Sequence, residues 1–121
     1  MPRELPQADR VRLLHMLDAA RDAMAYVVGR DRESMDHDSM LRRAAINCVL
    51  EIGEAACRVT EEFRALVPGI PWTRIVGMRH RLIHVYWDIN LDLVREVLVR
   101  DLPQLRRELE SALDLSKPEN P

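Results

Sequence analysis

Apolar residues recur three and four positions apart along most of the chain, the spacing of helices that bury one stripe. Leu13, Leu17, Ala20, Met24 and Val27 form the first seam and predict a helix over 10–28, with Asp9 as its N-cap and Gly29 as its stop. Residues 30–38 mix acids and bases without a period and read as a solvated loop. Leu41, Ala45, Val49, Ile52, Ala56 and Val59 mark a second helix over 39–59, where Ala44, Gly53 and Ala55 are small enough for close packing. Thr60 caps a short helix over 61–66, ended by Pro68 and Gly69. Leu91, Val94, Leu98, Leu102, Leu105, Leu109 and Ala112 give a last helix, capped by Asn90 or Asp88. Their phase runs unbroken through Pro103, which favours one kinked helix over two, although Asp101 with Gln104 could make a fresh capping box.

The stretch 70–92 organises the rest. With Pro71 as the first helical position, Trp72, Ile75, Val76, Leu82, Ile83 and Tyr86 fall in one stripe of a helix reaching residue 86 or 87. Arg79 sits inside that stripe, and a buried guanidinium must be met by an acid, a second subunit or a bound anion. Thr73, Gly77, His80 and His84 form a second, small and polar stripe, where Gly77 would let another backbone approach. Arg74 and Arg81 point away from both.

Nothing reads as strand, so the expected fold is all-α, an antiparallel bundle of four to five helices with short connections. The 121 residues suit a single domain over 1–121, with 1–8 and 116–121 irregular. At 47% hydrophobic the chain can bury a core, though a domain of this size often gains stability by pairing. Cys48 and Cys57 would stand about 13 Å apart on one helix and cannot bridge. No signal peptide or membrane span is visible, and a cytoplasmic location is the expectation. The net charge of −2 conceals a local excess, because no acid lies between Glu62 and Asp88 while Arg64, Arg74, Arg79, Arg81, His80 and His84 do. An anion site in an otherwise balanced protein has that appearance.

Arg79, four residues, His84, one residue and Tyr86 resembles the Arg-x4-His-x-Tyr signature of HepT-like toxins in the HEPN superfamily of small helical proteins. The resemblance extends to Ile52-Gly53-Glu54-Ala55-Ala56, Pro68-Gly69-Ile70-Pro71-Trp72, Ile75-Val76-Gly77-Met78-Arg79 and Asp92-Leu93-Val94. It implies a dimeric endoribonuclease with a composite site, the toxin of a type VII toxin–antitoxin pair. The implied antitoxin is a nucleotidyltransferase that silences the toxin by adding AMP to the matching tyrosine, here Tyr86. The sequence departs from the family at His80, where asparagine is common, at Val85, where glycine is frequent, and in 47–51 of the second helix.

RNA transesterification needs a proton carrier and positive charge on the phosphorane. His84 has the side chain for the first role. Arg79 can hold two phosphate oxygens in a fork and stabilise the developing charge. The scheme calls for RNA as substrate and for no metal or other cofactor. His80 could support proton transfer, and Glu54 could face Arg79 and hold it. Five positions place Arg79 and His84 about 140° apart on an ideal helix, so a two-fold pair of chains is the simplest way to bring both to one cleft. Two rivals share these residues. His80, His84 and Asp88, spaced by four, could bind a divalent metal. Alternatively the chain is a catalytically silent helical module that binds a nucleotidyltransferase, with Arg79 a structural charge.

Overall fold

Four helices begin where an Asp, Thr or Asn side chain takes up backbone N–H groups that a helix start leaves unpaired. The computed structural model describes residues 7–84 and 90–115. In order these form α1 (Gln7–Val27), α2 (Arg32–His37), α3 (Ser39–Cys57), α4 (Glu61–Leu66), α5 (Trp72–His84), α6 (Leu91–Glu96), a π-helical turn (Val97–Asp101) and α7 (Leu102–Leu115), with no strand among the described residues. Asp31 caps α2, Asp38 caps α3, Thr60 caps α4 and Asn90 caps α6. Hydrogen bonds from the N–H groups of Ser34 and Leu41 hold the carboxyls of Asp31 and Asp38 below the usual carboxylate range.

Three expectations need correction. Asp9 does not cap α1, which starts earlier, at Gln7. The carboxylate is only 1% exposed and accepts from the N–H and hydroxyl of Thr60, at 3.0 and 2.7 Å. It therefore ties the start of α1 to the corner where α3 gives way to α4. Residues 30–38 are not all solvated loop either. Asp31 accepts from Ser34 and starts a short helix, and its single apolar residue, Met35, is fully buried. The lone Met carried no period, which is why the element was not visible. In the motif helix, Trp72 and Leu82 are buried as expected, but Ile83 is 45% exposed and Met78 is buried in its place. The helix touches its neighbours on a face turned toward Met78, because it packs mainly on α3 alone.

The last helix is continuous from Leu91 to Leu115, as its unbroken phase predicts. Pro103 lacks an N–H, and its ring would press on the carbonyl four residues back. The π turn just before it widens the backbone, and Leu102 donates to Val97 across it. Val94, Leu98, Leu102, Leu105, Leu109 and Ala112 are all buried.

Four long rods make the antiparallel bundle. The largest interface joins α1 to α3; α5 packs on α3, and α7 packs on α1. The order around the ring is thus α5, α3, α1, α7, and between α5 and α7 the ring stays partly open. No described helix is long and apolar enough to cross a membrane.

Both cysteines are free, Cys57 exposed and Cys48 buried, and burial pushes the Cys48 thiol up to about 11, with Glu51 and Asp22 adding to the shift. Two outcomes follow. Asp9→Ala, which leaves the Thr60 N–H and hydroxyl without their acceptor, should cost about 1–3 kcal/mol and lower the thermal midpoint by several degrees. In an alkylation time course read by peptide mass spectrometry at pH 8, Cys57 should react first. Cys48 should follow only on unfolding or as pH climbs toward the raised value, since the thiolate is the reactive form.

Candidate functional site

The N-terminal end of α5 is clamped to the α3–α4 corner. Trp72 donates its indole N–H to the Val67 carbonyl at 3.0 Å and meets the edge of Phe63 at 6.3 Å between centroids. The Arg64 guanidinium lies 5.8 Å from the Trp72 ring and donates to the Ala56 carbonyl at 2.8 Å. A cation over an indole is favourable, and the carbonyl belongs to the last turn of α3, where a positive group is also favoured. These contacts fix the direction in which α5 leaves the corner.

Two turns further on, α5 meets α3 at Gly53. A Cβ on Gly53 would stand 2.5 Å from the Cβ of Arg79 and 3.1 Å from its Cγ. The missing side chain is what lets the arginine stem lie against the α3 backbone. Arg79 is half-buried there, its methylenes packed and its guanidinium beyond them. Among the described residues no carboxylate is paired with it.

Glu54 is not the partner of Arg79. Its carboxylate pairs with Arg58 one turn along α3, at 3.3 Å, on an exposed surface. Gly53 is the residue of that block turned to α5, and its neighbour is rotated about 100° away. The small-residue run in α3, which includes Gly53, is the sequence signal for this seat.

The polar stripe of α5 faces outward. Thr73 and His80 are exposed, and among the described residues nothing lies within 4 Å of the place a Cβ would occupy on Gly77. Arg81 is exposed on the flank shared with Arg74, which pairs with Asp101 of the π turn at 2.9 Å. His84 closes α5 in the backbone, and its side chain lies outside what is described. Tyr86 and Asp88 lie outside the described residues, so the modification site and the metal reading that needs Asp88 both fall there. Among the described residues no group of three or more His, Cys, Asp or Glu is placed to hold a metal ion.

Alongside α5, the gap in the ring forms a cleft of about 290 Å³. Its floor is apolar, from α3, α5 and α7, and the Arg74–Asp101 pair stands on its rim.

Fold and site together define an antiparallel all-α bundle of HEPN type. The sequence matches the Ribonuclease HepT-like family over residues 16–112, and the chain belongs to that family. It is similar to a Methanocaldococcus jannaschii protein at 32% identity over 98 residues, 81% of this chain and 90% of that one. A protein of Caldanaerobacter subterraneus subsp. tengcongensis is 32% identical over 105 residues, covering 87% and 94%. Both are provisionally named RNases. A Thermococcus cleftensis protein, provisionally named ribonuclease HepT, is 32% identical over 73 residues, 60% of this chain and 66% of that one. No solved structure matches. Membership brings ribonuclease activity at the level of the family.

The Gly53 contact can be tested directly. Gly53→Ala should force α5 away from α3, destabilising the fold by about 1–3 kcal/mol as overpacking does. It should also reduce any function of Arg79 more than Glu54→Ala, which removes only an exposed pair. Thermal melts and activity of the two variants side by side provide the check.

Proposed function

We propose that this chain is a metal-independent endoribonuclease toxin that acts as a homodimer and is silenced by a nucleotidyltransferase antitoxin. The observation that carries the reading is Arg79, seated by its stem on Gly53 and five positions before His84 in a helix without acids. Its guanidinium is presented to an anion by packing, with no acid paired to it among the described residues.

In this reading the ribose 2′-hydroxyl loses its proton to His84 and attacks the adjacent phosphorus. Arg79 stabilises the phosphorane charge, and the bond to the 5′-oxygen breaks as that oxygen takes up a proton. The products are a 2′,3′-cyclic phosphate and a 5′-hydroxyl. His80, exposed one turn before His84, supports the proton transfer. The face of α5 where, among the described residues, nothing meets a Cβ on Gly77, together with exposed Ile83, suits a second copy, which would bring an Arg79 and a His84 from different chains to one cleft. Tyr86 is the proposed acceptor of AMP: its phenol oxygen attacks the α-phosphorus of ATP and pyrophosphate leaves. The added phosphate and bulk would repel RNA from the neighbouring cations.

Purified protein should cut structured RNA in the presence of a chelator and leave cyclic phosphate ends. Arg79→Ala and His84→Ala should each lower the rate by about a hundredfold or more, with helicity unchanged by circular dichroism. Full activity in both variants would sink the reading. A stable complex with the nucleotidyltransferase but no RNA turnover by AMP-free protein would favour the silent module instead.

A further inference from the structure

The cleft between α5 and α7 has no part in that chemistry. Val49 and Ile52 of α3, Ile75 and Met78 of α5, and Leu102 and Leu105 of α7 make its apolar floor. Its rim carries the Arg74–Asp101 pair, Gln104 and Glu108. A volume of about 290 Å³ accommodates one flat heterocycle with room to spare.

Glu108 points to what the occupant must offer. A Cβ on Gly69 would stand 2.7 Å from Oε2 of Glu108, so the glycine lets this carboxylate lie down against the turn before α5. The side chain is half-buried, lines the cleft, and among the described residues has no donor paired to it. A partly desolvated acceptor at the edge of an apolar slot is matched by a ligand with a flat apolar face and N–H groups on its edge.

Charge around the cleft supplies the rest. Arg74, 60% exposed on its rim, and Arg81, exposed two turns along the same flank of α5, lead toward His84 at the end of the helix. Arg74 and His84 are ten positions apart, about 15 Å along the axis. Arg74 is paired with Asp101 and can turn to a phosphate only by exchanging that partner, whereas Arg81 has no carboxylate paired to it among the described residues. Exposed guanidinium groups beside an apolar slot are the two parts of a single-strand recognition site.

We infer that this cleft receives one unpaired base of an RNA strand whose phosphates follow Arg74 and Arg81 to the cut site, with Glu108 accepting from N–H groups on the base edge. The inference rests on the ribonuclease reading and adds the substrate class: single-stranded RNA with a preferred base at a fixed offset from the scissile bond. Carboxylates accept from amino groups of bases, so a base with N–H donors is preferred over uracil's mainly acceptor edge.

The test sequences the cut ends left on a randomised, unstructured RNA by wild type, Glu108→Gln and Ile75→Phe, each profile normalised to its own total cleavage. Wild type should favour one base at a fixed offset by about tenfold or more. Glu108→Gln should change which base is favoured, and Ile75→Phe, which fills the slot, should flatten the profile. A flat wild-type profile, or the same preference in both variants, overturns the base site while the ribonuclease reading stands, and returns the cleft to a protein side chain or a small apolar ligand. If wild type cuts no RNA, the ribonuclease reading has failed and photocrosslinking with thio-substituted oligonucleotides decides the cleft. Crosslinks on the peptide carrying Ile75 and Met78 that are lost in Ile75→Phe keep the site; crosslinks elsewhere, or none, overturn it.

Discussion

The contact on which the rest of the molecule depends is that of a bare backbone with an arginine stem, where Gly53 of α3 receives Arg79 of α5. Arginine normally carries its methylenes along apolar surface with its charge in water. Here the surface is a helix without a side chain, and the approach is close enough that one methyl group would undo it. The packing of α5 on α3 and the placement of the cation are therefore one interaction. Because α5 spends its inner face on α3, it has little left for α7, and the opening in the ring follows from the same contact.

Polar ties at the corners complement this. A bundle of this size has a limited core, and the position of each rod is set by a few hydrogen bonds between distant parts of the chain. Asp9 reaches Thr60 across 51 positions, Arg64 closes the end of α3 while flanking Trp72, and Arg32 ties α2 to Asp92 in the first turn of α6. Each lies where a short helix or turn would otherwise leave backbone groups or side chains unpaired. The proposed chemistry sits between such ties, on a helix whose direction they fix.

Much of the fold was legible because it is periodic. The seams of α1, α3 and the last helix are buried nearly residue for residue, and the caps at Thr60 and Asn90 fall where their side chains imply. What escaped was what periodicity does not encode. Met35 is a single apolar residue among charges, and Asp9 is a side chain whose partner lies far along the chain. Sequence marked Arg79 and the cationic helix as candidates, because a charge in an apolar stripe is visible in one dimension. Opposite charges suggest Glu54 as a partner for Arg79, and Gly53 is legible as a small residue for close packing, but that the glycine is the seat of the arginine stem shows only in three dimensions. The partner of Arg74 depended on the π turn, which no periodicity announces.

That π turn also works as slack. An unbroken α-helix from Leu91 to Leu115 would have to satisfy two registrations at once, one against α2 near Asp92 and one against α1 along α7. The wide turn decouples them, so the rod's two halves can each settle against their own neighbour as though joined by a short flexible coupling. Asp101, at the end of the turn, carries the partner of Arg74 on the rim of the cleft. The rim of the cleft thus hangs on the joint between two separately anchored halves, and belongs to neither anchor.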